Sequence, residues 1–145
     1  MRVVILAVRQ LVLASPVAAG LGAHAFAAGA PSPAVFTGPP PADAPHPLVH
    51  IGQAGGTAFD AAGFVGVHAR LAVRLYGNRD SPGGPLARMA EDLWSALHQA
   101  EIEPYLEGTP WGAWGVWADY PVPDADADGF PGYAVQVRVS VARNK

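Results

Sequence analysis

Pro31, Pro33, Pro39, Pro40, Pro41, Pro45 and Pro47 crowd one short stretch of this 145-residue chain. Proline fixes φ and brings no backbone N–H, so it breaks helices and sheet ladders alike. Residues 29–47 are therefore expected to run as an extended arm over the surface, stiffened by polyproline II geometry and without ladder or helix. A connection longer than about 15 residues is unusual inside one domain and is commonly functional. The arm separates an N-terminal region, 1–28, from a larger block, 48–145, and the whole length suits a single domain.

The first twenty residues, MRVVILAVRQLVLASPVAAG, imitate a secretory signal: a charged start, an apolar run and small residues at the end. Arg9-Gln10 interrupts that run. Val4, Ile5, Val8, Leu11 and Val12 recur with helical spacing and leave Arg9 and Gln10 off the stripe. The spacing predicts an amphipathic helix that stays attached and packs one face, broken at Ser15-Pro16, with one further short turn over 17–21. The run is too short and too interrupted to span a membrane.

In the larger block the expected order is a short strand over 48–53, a Gly-rich loop over 52–63 and a strand over 65–76. A turn-rich break, 77–84, and a helix over 85–99 follow. Then come an edge strand over 101–107, an aromatic strand over 111–120, an acidic loop over 121–131 and a closing strand over 132–143. Alternation is clearest in 65–76, where Val65, Val67, Ala69, Leu71, Val73 and Leu75 face one way and His68, Arg70 and Arg74 the other. The helix carries the stripe Leu86, Met89, Ala90, Leu93, Trp94 and Leu97. In the aromatic strand Trp114, Val116, Ala118 and Tyr120 are expected on one face. The fold class is α+β: a small, mostly antiparallel sheet of about four strands with two helices packed on one face, plus the long Pro-rich arm.

The chemistry is sparse. The chain has no cysteine, which excludes disulfides, thiolate metal sites and a cysteine nucleophile. A net charge of -3 argues against a basic nucleic-acid-binding domain. Asp124, Asp126 and Asp128 match the first half of a calcium loop, but the position that should supply a bidentate glutamate is Val135, so they form a weak candidate metal site at most. His50 and His68 would be neighbours only if their strands paired suitably, and they lack a third ligand. No serine has a nucleophile context and only the 124–128 loop clusters carboxylates, so no catalytic residues, no cofactor and no enzymatic activity are expected. Arg70, Arg74 and Arg138 lie on the polar faces of the two best strands and would form one basic stripe if those strands are adjacent. Trp111, Trp114 and Trp117 cannot all point one way, so at least one is expected at an interface. Arg70, Arg74, Arg138, Trp114 and Trp117 are therefore the candidate interface residues.

Taken in order, these pieces resemble the tail-terminator (tail-completion) proteins of long-tailed bacteriophages and phage-like particles. The likeness runs through LVLASPVAAGLGAHAF, PHPLVHIGQ, GVHARLAVRLYGNRDSPGG, PLARMAEDLWSALHQA and the closing GYAVQVRVSV. It rests on layout and texture over nearly the whole chain; the arm is more Pro-rich than the family pattern. The resemblance implies a virion subunit, assembled in the host cytoplasm, that forms a hexameric ring on the head-proximal end of the tail tube. It implies as partners further copies of itself, the tube protein and the head–tail connector or stopper, with DNA passing through the lumen without specific binding and no membrane. The ring would use two different patches per subunit. Two other readings make different predictions. A neighbouring connector or stopper role in the neck differs only in position. An exported small calcium-binding domain would be cleaved near Gly20 and would melt differently with Ca²⁺.

Overall fold

The computed structural model describes residues 2–26, 30–80 and 82–145; Gly29, where the expected arm begins, and Ser81 in the expected turn lie outside the described residues. The elements in order are α1 (Arg2–Leu13), β1 (Ala23–His24), β2 (Ser32–Pro33), β3 (Val35–Phe36), β4 (Leu48–Ala61), β5 (Phe64–Tyr76), α2 (Gly83–Leu97), β6 (Gly112–Ala118), β7 (Val122–Pro123) and β8 (Gly132–Asn144). The main sheet runs β3-β4-β5-β8-β6, with β7 also pairing β8; β1 and β2 pair separately. Every pairing is antiparallel except β3 with β4. The α+β class expected from the sequence is the class observed.

Helix α1 buries Val4, Ala7, Val8, Leu11 and Val12, leaving Ile5 at the margin of the stripe. Its end is set at Ser15, whose Oγ donates to the Val12 carbonyl at 2.6 Å, before Pro16 opens a 3₁₀ turn, Pro16–Gly20. Helix α2 buries Leu86, Ala90, Leu93 and Leu97. Gln99, just beyond it, takes a left-handed φ of 57°. Both helices lie on the same face of the sheet, and one core joins them to Ala69, Leu71, Val73 and Leu75 of β5 and to Val135, Val137, Val139 and Val141 of β8.

Four expectations are corrected. Residues 52–63 are no loop: β4 continues through the glycines to Ala61 and turns at Gly63, where φ is +80°. Cross-strand pairing with β5 holds a Gly-rich segment extended despite its low intrinsic strand preference. Residues 101–107 are no strand; Glu103–Leu106 form a 3₁₀ turn that buries Leu106, with Ile102 buried just before it. The arm is not free of ladders. Prolines 31 and 33 leave the N–H groups of 34–36 intact, Ala34, Val35 and Phe36 are apolar enough to bury, and β3 docks on Val49 and His50. Arg9 ties it down by donating from Nε to the Val35 carbonyl at 3.1 Å. Finally, a bulge between Ala113 and Gly115 reverses the parity of β6, so Trp114 leaves the face of Val116 and Ala118 and joins Trp117 on the other side.

The two long edges of the sheet differ. Along β6 four backbone groups are taken up within the chain. The Ala113 N–H donates to Glu103 Oε2 at 2.6 Å and the Ala118 N–H to His98 Nδ1 at 3.2 Å, while the Val116 carbonyl accepts from the Gln99 N–H at 3.0 Å and the Ala118 carbonyl from Trp94 Nε1 at 2.9 Å. On the opposite side β3 covers β4 only at Val49 and His50, and beyond them, among the described residues, no strand pairs the outer edge of β4.

Candidate functional site

With both helices on one face, the other face of the sheet carries no helix, and the register lays its side chains out in transverse rows. Gly55 of β4 stands opposite Arg70 of β5, Arg70 opposite Arg138 of β8, and Arg138 opposite Trp117 of β6. The next row is Thr57, His68, Ser140 and Gly115, and on the other side Gly52, Ala72 and Gln136 make a low strip. A trough of about 140 Å³ results, lined by Arg70, Trp117, Asp119, Gln136, Val137 and Arg138.

Arg70 is held over β4 by a local device. The β4 ladder shifts between Gln53 and Gly55, Gly55 has φ of +136°, and a β-carbon there would stand 3.0 Å from Arg70 Nη2. Only glycine suits both that dihedral and the guanidinium lying across it. Beside it His68 Nδ1 and Ser140 Oγ are hydrogen-bonded at 2.6 Å. Neither Arg70 nor Arg138 makes an ion pair among the described residues. Like charges directly opposite on neighbouring strands repel, so this pair is a local cost that an anion would relieve.

Each end of the open face is aromatic. At the hairpin tip Phe59 stacks on His68 with centroids 4.5 Å apart, and Trp114 meets Phe59 at 5.1 Å and Phe64 at 6.1 Å. Trp114 is 55% exposed and Trp117 49%. At the far end His46 stacks on Phe130 at 3.9 Å, closing the arm over the acidic loop, with Arg79 above the same ring.

The sequence-derived candidates are thus partly gathered and partly dispersed. Arg70, Arg138, Trp114 and Trp117 share the open face. Arg74 does not join the basic pair, because its Nε donates to Asp124 Oδ2 at 3.2 Å. That contact, with Asp126 Oδ1 accepting the Asp128 and Phe130 amides at 2.9 Å, spends two of the three aspartates of the half calcium loop on the protein itself. Among the described residues no cluster of three or more His, Asp or Glu is placed to hold a metal ion. His50 and His68 are not neighbours; His50 faces Arg74 and His68 faces Thr57. Burial first, and the Arg74 guanidinium second, hold the His50 imidazole below its ordinary pKa. Burial raises the Tyr76 phenol, helped by Asp124.

Gly55, Thr57 and Phe59 also belong to this face, although the sequence reading places them in a loop, whereas Ser140 lies on the polar side of the closing strand as its alternation expects. A two-residue period carried on from His50 and Gly52 would put Thr57 and Phe59 on the other side; the shift between Gln53 and Gly55 inverts the parity and brings them to the open face. Trp111 lies against the core with Arg143 over its ring. No helix among the described residues is long and apolar enough to cross a membrane. Compared with models of protein families and with characterised proteins, the chain matches none.

Proposed function

We propose that this protein is an architectural subunit of a long-tailed phage or phage-like particle. In this reading it forms a ring, hexameric in the family it resembles, that caps the head-proximal end of the tail tube, stops tube growth and meets the head connector. The observation that carries the reading is the one-sided sheet: two helices seal one face, while the other exposes Trp114, Trp117 and, in a row, two arginines that make no ion pair among the described residues. Large exposed aromatics with arginine are the composition of interface centres. The uncovered face and the flank beyond β6 are two different patches, as a closed ring needs. The net charge of -3 suits a channel through which DNA passes without adhering.

Imaging of particles made with and without the gene tests this. The expected result is labelled protein at the head-proximal end of the tail, and tails of uncontrolled length when it is missing. Absence from assembled particles would overturn the proposal. Label between head and a tail of normal length would move the protein to the neighbouring stopper position.

A further inference from the structure

Arg70 and Arg138 stand side by side and, among the described residues, make no ion pair, on a chain that has more acids than bases, 12 Asp and Glu against 9 Lys and Arg. The missing counter-charge is present elsewhere on the same molecule. Beyond the sealed β6 edge, Glu101 and Glu107 flank the 3₁₀ turn Glu103–Leu106; both are exposed and neither makes an ion pair among the described residues. Glu103, between them, is occupied in capping the Ala113 amide.

We propose that the trough of Arg70, Arg138 and Trp117 is a carboxylate-binding site whose occupant is a second copy of this chain, which seats its Glu101 and Glu107 there. The inference rests on the ring reading and names the contact that would build it. Charge complementarity supports it: a like-charged pair on the open face, and an acidic segment at one flank of the same sheet. The contact is heterologous, since the basic patch of one copy meets the acidic patch of the next, and the pair keeps one of each free to continue the series. Planar guanidinium forks suit carboxylates in bidentate geometry. Trp117 at the end of the row adds an aromatic wall that shields the pair from water. Gly55 positions Arg70 for this role by leaving room for its guanidinium over β4. Asp119 lines the same trough and keeps the empty site from being purely basic.

The test is the association state of the purified full chain, by sedimentation at low and high salt, for the wild type, R70E/R138E, E101R/E107R and the quadruple charge swap. R70Q/R138Q serves as a variant that removes charge without reversing it. The expected result is wild-type association that weakens with salt, a loss of about tenfold or more in affinity for each reversal, and recovery in the quadruple swap. Thermal melts of the variants should stay near wild type, since all four side chains are exposed. A wild type that is monomeric at every concentration, or reversals that leave association unchanged, would overturn the inference. So would an oligonucleotide retained by the wild type and released by R70Q/R138Q while association is unaltered; the face would then be a nucleic-acid surface. Particles that still carry a ring built from R70E/R138E protein would sink this contact and leave the ring reading standing.

Discussion

His98 accepts the Ala118 amide at 3.2 Å, so the residue that ends helix α2 also finishes the outer edge of strand β6. Replacing it with leucine keeps the bulk and orphans the amide of a buried residue. An unsatisfied buried donor costs about 1–3 kcal/mol. H98L is therefore expected to lower the unfolding free energy by that amount in denaturant melts. It should also accelerate aggregation, because a row of edge groups loses one of its covers.

Gly132 opens β8 where three segments converge. A β-carbon there would stand 2.6 Å from the Leu75 carbonyl oxygen and 2.7 Å from that of Asp124. Both are backbone atoms that cannot swing aside, so G132A should destabilise by about 1–3 kcal/mol through overpacking. G115A, with open space around the added methyl, is the control and should melt within about 0.5 kcal/mol of wild type.

His50 makes stability depend on pH in a definite direction. Burial and Arg74 depress its native pKa below 6.5. As pH falls through about 6.5, the unfolded chain takes up this proton before the native chain does. The contribution of neutral His50 is complete above that value and declines with acidification towards the depressed native pKa. The melting temperature should fall over this window, and H50Q should flatten the fall. An unchanged slope in H50Q would show that other groups carry the dependence.

The N-terminal segment supplies Val4, Val8, Leu11 and Val12 to the core. Each such side chain contributes about 1.5–3 kcal/mol when buried, against a total domain stability of about 5–15 kcal/mol. Removal of residues 2–20 should leave the chain without a cooperative melting transition. A truncated chain that melts as the full one does would favour the exported, processed form.

Added Ca²⁺ should not shift the melting temperature, because Asp124 is engaged by Arg74 and Asp126 by two backbone amides. A concentration-dependent rise would restore the acidic loop as a cation site.

Helix α1, helix α2 and strands β5 and β8 were legible in the sequence because their apolar residues keep one period from end to end, as Ala69 to Leu75 and Val135 to Val141 do. Strand β4 was obscured where Gly52, Gly55 and Gly56 remove the side chains that would display the alternation. The segment 101–107 misled because its apolar residues, Ile102 and Leu106, are four apart, a helical spacing within a sequence read as extended. Strict alternation puts Trp114 with Val116, but the bulge before Gly115 carries it to the other face, and no residue type announces a bulge there. Alternation places Arg70 and Arg138 on the polar faces of their strands, and only the adjacency of β5 and β8 makes them one stripe. That they stand directly opposite, and that Arg74 is withdrawn by Asp124, are facts of register and long-range pairing.

The unequal rims of the sheet carry a directional consequence. With four backbone groups of β6 taken up by its own helix and turn, that border is a poor place for a second copy of the strand to pair. In the proposed assembly the uncovered face of one copy would meet the Glu101 and Glu107 flank of the next, so every added subunit would point the same way round and the series would end by meeting its own beginning.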